Sequence, residues 1–214
     1  MRGAELRMGD ERPGEPAWLA EEEAARAGLY RLLAAWLARP ADLGLLARTA
    51  ELGGPGPLGE ALGELAAAAR EADPDAVDRE YHELFVGLGR GELVPYASYY
   101  LTGFVYEKPL ADLRADLERL GVARRPDNHE PEDHVASVLE VMAGLVEGRF
   151  GDGTLRTQRS FFARHVEPWM GRFFHDLERA RTARVYARLG RVGGLFVEVE
   201  RVAFGLDGRA VGHA

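Results

Sequence analysis

Cysteine is absent from the 214 residues, which excludes a disulfide framework, a zinc–thiolate site and a cysteine nucleophile. Lys108 is the only lysine, so basic charge is almost all arginine and no phosphate-loop lysine stands behind a glycine-rich turn. Serine is equally scarce: Ser98, Ser137 and Ser160 are the three, and none carries the flanking glycines of a nucleophile elbow. None of the six histidines has a Glu three positions before it, which removes the Glu-x-x-His ligand pattern of di-iron bundles. His129 and His134 are five apart, so the H-E-x-x-H zinc geometry on one helix face fails as well. A looser metal set of His129, Glu130, Asp133 and His134 stays open as an alternative.

Acidic residues number 35 against 27 basic, a net charge of −8, which argues against a general binder of phosphate backbones and favours basic partners. The first sixteen residues are polar and rich in Gly, Pro and charge, without an apolar core segment. A flexible start is expected there, neither secretory signal nor membrane span, and the lack of cysteine suits the cytoplasm. With 46% hydrophobic and 29% charged residues the chain has the composition of an ordinary globular domain.

No run of alternating strand residues and no fixed-period repeat is found, whereas helical periodicity recurs throughout. Residues 17 to 38 read as a helix ended by Pro40; shorter ones follow over 42 to 52, 58 to 72, and from Asp75 through Val77, Tyr81, Leu84, Phe85 and Leu88. The loop Gly87-Leu88-Gly89-Arg90-Gly91 lacks the third glycine of a dinucleotide fingerprint and follows a helix rather than a strand, so a flexible connector is expected; nucleotide binding is the alternative. Leu110, Leu113, Leu117 and Leu120 mark a helix capped by Gly121. Phe162, Val166, Trp169, Phe173 and Leu177 form an apolar face that Pro168 kinks or divides. Val185, Leu189, Val192, Phe196, Val199 and Ala203 repeat at 4-3-4-3-4, the spacing of a bundle seam. The expectation is an all-α, single-domain multi-helix bundle over 17–205, with a long connector before residue 130, a flexible segment 1–16 and a flexible tail 206–214.

That connector ends in Glu130-Pro131-Glu132-Asp133-His134. Pro131 suits a first helical turn, and Glu132 and Asp133 put negative charge against the positive end of the helix dipole. His134 then heads the stripe Val138, Val141, Met142, Leu145 and faces inward or into a groove. An inward His is most often a core residue satisfied by one hydrogen bond. The helix dipole would hold it neutral, beside Asp133, as a hydrogen-bonding pair. Pro95-Tyr96-Ala97-Ser98-Tyr99-Tyr100 is either an aromatic core corner or a pocket wall with polar handles.

Taken together, the Glu130–His134 turn, Tyr81-x-x-Leu84-Phe85-x-Gly87, Pro95-Tyr96-x-Ser98-x-Tyr100, Arg26-Ala27-x-Leu29-Tyr30 and the closing Gln158, Phe161, His165, Trp169, Phe173, Phe196 and Glu200 resemble the TorD/DmsD family, the all-helical redox enzyme maturation chaperones. The resemblance covers most of the chain but not residues 1–16. It implies a non-enzymatic cytoplasmic protein without a cofactor of its own. Such a protein binds the twin-arginine signal peptide, the body, or both, of a molybdopterin-containing oxidoreductase and delays its export until the cofactor is inserted. Carried over by motif, Asp133 and His134 would lie in the peptide groove, Glu130 and Pro131 would shape its mouth, and Tyr81, Leu84, Phe85, Pro95 and Tyr96 would form its walls. Tyrosine stands where some relatives carry tryptophan, which bears on client preference.

Overall fold

In the computed structural model, residues 17–87, 89–124 and 130–206 are described. The expected flexible segment 1–16 and, apart from Leu206, the expected tail 206–214 lie outside them, as do Leu88 and His129. The elements are α1 (Ala17–Ala38), α2 (Leu43–Thr49), α3 (Gly56–Glu71), α4 (Pro74–Tyr81), a π-turn (His82–Val86), α5 (Ala97–Thr102), α6 (Lys108–Arg119), α7 (Val135–Val146), α8 (Leu155–His165), α9 (Met170–Arg179) and α10 (Val185–Ala203). Among the described residues no strand forms, and the expected all-α bundle is what the chain adopts. No helix among them is long and apolar enough to cross a membrane.

Most starts are written locally. Asp42 accepts the Leu45 N–H at 2.7 Å, Asp73 precedes Pro74 and accepts the Asp75 N–H, and Thr154 accepts the Thr157 N–H. Helix α7 is buried at ten of its twelve residues, which places it at the centre, against α1 on one side and α8 on another. Helix α10 packs on α9 and α3.

Helix α10 has no cap of its own, because Arg184 precedes it. Glu80, on α4 and more than a hundred residues earlier, supplies one: its buried carboxylate accepts the backbone N–H groups of Arg184 (2.5 Å), Val185 (3.2 Å) and Tyr186 (2.8 Å). Near the other end, Glu200 accepts both Arg26 N–H groups at 2.8 Å and the Tyr30 hydroxyl at 2.8 Å, tying α10 to α1.

Four sequence expectations change. The seam of α10 does not persist, since Val199 is 49% exposed and Ala203 is exposed as well. A straight helix at 3.6 residues per turn drifts off a 3.5 repeat, and beyond Phe196 the inward positions pass to Val197, the paired Glu200 and, past the helix end, Phe204. The glycine loop is not a loose connector. Its chain folds back so that Glu92 and Leu93 donate to the Glu83 and Leu84 carbonyls, and a Cβ on Gly91 would lie 2.5 Å from Leu84 O. Those inward N–H groups are unavailable to a phosphate. Residues 97–102 form a helix that periodicity could not reveal in six residues. Finally, α7 begins at Val135, so Pro131, Glu132 and Asp133 precede the helix instead of forming its first turn. Pro168 falls in the break between α8 and α9.

Arg26→Ala leaves the fully buried Glu200 carboxylate with Tyr30 alone. Because solvent reaches part of Arg26, urea denaturation should show a loss of about 2–3 kcal/mol rather than the larger value of a sealed pair.

Candidate functional site

Residues 131–135 and 95–97 meet as a short antiparallel pairing: Val135 N–H donates to Pro95 O at 2.8 Å, and Ala97 N–H donates to Asp133 O at 3.0 Å. A turn closed by His134 N–H on Pro131 O (3.1 Å) delivers the chain into α7. Asp133, 1% exposed, then points under α5, where Oδ2 accepts the Ser98 N–H at 2.8 Å and so caps that helix from a distance. Its other oxygen, Oδ1, and the nearby Ser98 hydroxyl are buried without a protein partner. Asp133 is thus a buried brace.

His134 is the N-cap of α7. Its Nδ1 accepts the Ala136 N–H at 3.2 Å, which assigns the ring proton to Nε2, and its ring meets Tyr96 edge-on at 5.3 Å. Burial pushes the imidazole below its ordinary pKa, against the pull of Glu130 and Asp133, so it is neutral near pH 7, as expected. The expected helix-dipole cause is secondary: an imidazole accepting an N–H must be neutral at that nitrogen.

Glu130 is the exposed member. The Tyr96 hydroxyl donates to its Oε1. Burial, that hydrogen bond and the Glu130 charge together raise the Tyr96 phenol well above its usual range, so it remains a donor. Glu132 instead turns to Arg114, which reaches it at 2.8 Å, with Arg124 at 3.9 Å. Burial alone would raise its carboxyl, but these arginines hold it below the ordinary range. Beside Glu130 and Glu132 opens a groove of about 520 Å³ between α1, α6 and α7, walled by Ala35, Leu117, Val141 and Phe150.

The remaining predicted walls divide. Leu84 is fully buried, Tyr81 and Pro95 are buried, and Phe85 is half-buried. Tyr81 and Phe85 meet edge-to-face at 5.1 Å and both approach Tyr186, a cluster that continues to Trp36. Tyrosines at the start of and within α5 reach three separate parts of the chain: Tyr96 donates to Glu130, Tyr99 accepts from Arg90, and Tyr100 donates to Asp176 of α9 at 3.0 Å. Sequence reasoning missed Arg114, whose role no periodicity signals, and the exposed aromatics Phe104 and Tyr106. Among the described residues no three His, Asp or Glu side chains converge as a metal site requires; His129, named in that alternative, lies outside them.

An all-helical chain of this topology is already known from a solved structure: that of a protein described as a redox enzyme maturation protein from Archaeoglobus fulgidus superposes with a TM-score of 0.55 at 23% identity, covering 81% of this chain and 93% of the other, a likeness of fold. Residues 53–175, more than half of the chain, match the family described as nitrate reductase delta subunit, and the chain belongs to that family. Proteins named chaperone TorD are similar too: that of Aliivibrio fischeri is 29% identical over 118 residues, 50% of this chain and 54% of its own. That of Vibrio cholerae (El Tor Inaba N16961) is 25% identical over 130 residues, 57% and 59% of the two chains. The resemblance read from the motifs is borne out. The chain spans about half the length of the curated relatives it matches.

Asp133→Ala should cost about 2–3 kcal/mol in chemical denaturation, since it frees the Ser98 N–H and removes a charge-assisted bond. His134→Asn keeps a side-chain acceptor at the α7 cap but cannot titrate. With a folded pKa below the unfolded 6.5, His134 contributes stability present above pH 6.5 and lost as pH falls through its folded pKa. The variant should therefore show a flatter stability–pH curve below 6.5; the residual slope comes from His165, whose pKa burial and Arg164 push down to about 4, and, at lower pH, from carboxylates held below their ordinary range such as Glu132 and Glu92.

Proposed function

We propose that the chain is a non-catalytic cytoplasmic chaperone for a molybdopterin-containing oxidoreductase. It binds the client's twin-arginine signal peptide, its cofactor-free body, or both, and delays export until the cofactor is in place. Family membership and the relatives named TorD support the class of function. The observation that carries the peptide reading is the exposed Glu130 carboxylate, oriented by Tyr96 on a backbone pairing that Asp133 braces from below. A guanidinium arriving there meets a preoriented carboxylate and an aromatic ring, the two groups that favour arginine. The net charge of −8 steers a basic peptide end toward the protein.

The division of labour follows from burial. Glu130 meets the arginines, while Asp133 and His134, closed off beneath Tyr96, hold the loop from which it projects. Pro131, Pro95, Leu84 and Tyr81 set the shape of the mouth from within, and Phe85 and Tyr96 reach its edge.

Calorimetric titration with twin-arginine signal peptides of molybdoenzymes from the same genome tests this. One peptide should bind at micromolar Kd or tighter. Glu130→Gln should weaken it about three- to tenfold and flatten the salt dependence, as loss of one exposed charge contact does. Equal affinity for that peptide and its Arg-to-Ala control would refute arginine recognition.

A further inference from the structure

The walls that motif matching assigns to a peptide groove are largely spent on the core, since Leu84 is fully buried and Tyr81 and Pro95 are buried. Beyond the groove between α1, α6 and α7, a further exposed apolar surface lies at the α5–α6 connection. There Phe104 is 69% and Tyr106 71% exposed, with Leu101 and Val105 about 40% open. Four neighbouring apolar side chains, Leu101 in the last turn of α5 and three in the loop after it, are more than the scattered exposure of an ordinary surface.

The loop is built to present them. Gly103, at φ 85°, donates its N–H to Tyr99 O at 2.8 Å and ends α5. The Thr102 hydroxyl lies 2.8 Å from Ser98 O and accepts the Phe104 N–H at 3.2 Å, fixing the first turn. Tyr106 takes φ 65°, a left-handed conformation that costs an aromatic residue on the order of 1 kcal/mol. No burial of its ring offsets that. Strain of this kind gathers where a side chain is held for a ligand.

Position and charge point to the occupant. Tyr96 is the residue at the start of α5 and the loop leaves the other end of that six-residue helix, so roughly 9 Å of helix separates the loop from the Tyr96–Glu130 mouth. At the near end Leu101 lines a cavity of about 260 Å³ with Pro109, Val138 and Trp169, a cavity to which Asp112, Arg164 and His165 also contribute. The surface thus runs from a carboxylate, across two exposed rings, to a hollow whose walls are more apolar than polar. A matching chain has its cations at one end and an uninterrupted apolar stretch after them.

We propose that Leu101, Phe104, Val105 and Tyr106 form the docking surface for the apolar stretch of the client signal peptide, which runs from Glu130 over Tyr106 and Phe104 toward the Leu101 cavity. This rests on the signal-peptide reading above. It moves the apolar contact from the motif residues to a loop outside every motif.

The test uses the full chain, a synthetic peptide with an arginine pair followed by about twelve Leu and Ala residues, and a second peptide carrying the arginine pair with a Ser and Gly continuation. The double variant Phe104→Ser/Tyr106→Ser changes only exposed side chains. It should lower affinity for the first peptide about tenfold, the effect of removing two aromatic anchors, and leave the weaker binding of the second unchanged. Glu130→Gln should weaken both. Unchanged affinity of the double variant for the first peptide overturns the surface while the signal-peptide reading stands. Failure of the unaltered protein to bind either peptide, or any client signal peptide, overturns both. Sedimentation gives the remaining outcome: a dimer that the double variant converts to monomer assigns the patch to a second copy and overturns the proposal.

Discussion

Carboxylates withdrawn from water and turned onto backbone N–H groups or arginine hold this bundle in register. Glu80 is the one on which most depends. Helix α10 packs on α9 and α3, and its first turn has only Arg184 where a capping side chain belongs, so its free N–H groups would be bare at a buried helix end. Glu80 takes three of them and fixes α4 against α10 across a separation that no local interaction spans. The π-turn, the glycine loop and Glu92 follow. Glu92 accepts the Arg181 and Thr182 N–H groups just upstream of α10, bracing the same junction from the other side. Burial opposes its ionisation, but those hydrogen bonds hold its carboxyl below the usual range.

The same device explains the α5–α7 junction. Helix α5 starts without a side-chain cap of its own, and Asp133 provides one from the other strand of a two-residue pairing. Because Asp133 lies beneath and Glu130 above that pairing, a single pentapeptide serves both as brace and as exposed surface. His134 joins the two functions: its Nδ1 caps α7 while its ring supports Tyr96, whose hydroxyl orients Glu130. A charged imidazole there would lose the cap, which is why burial and neutrality go together at this position.

Helix content and several boundaries were legible in the sequence because apolar periodicity and chain-breaking residues are local signals, as at Pro40 after α1 and Gly121 after α6. What was not legible is whatever a distant carboxylate decides. The α10 seam was read through Val199 because hydropathy ranks valine above glutamate, yet the helix turns Glu200 inward, where Arg26 and Tyr30 neutralise its burial penalty. Likewise Pro131-Glu132-Asp133 carries every mark of a first helical turn. Its backbone is diverted by Pro95 and Ala97, through bonds that span 40 residues (Val135 to Pro95) and 36 residues (Ala97 to Asp133), which no window includes. The motif residues were found by resemblance; their separation into buried and exposed required the fold.

That separation bears on how recurrent motifs should be read. A residue that recurs because it braces a loop and one that recurs because it meets a ligand are indistinguishable in a pattern, whereas burial tells them apart. Asp133 at 1% exposure cannot reach a peptide without unfolding the α5 start it caps, so loss of binding in an Asp133 variant would by itself say nothing about contact. Glu130, an exposed residue whose carboxylate Tyr96 engages, is on the proposed reading the position at which ligand affinity changes more than stability does. The two positions are therefore separable by measuring denaturation beside affinity: a brace moves both, a contact only the second.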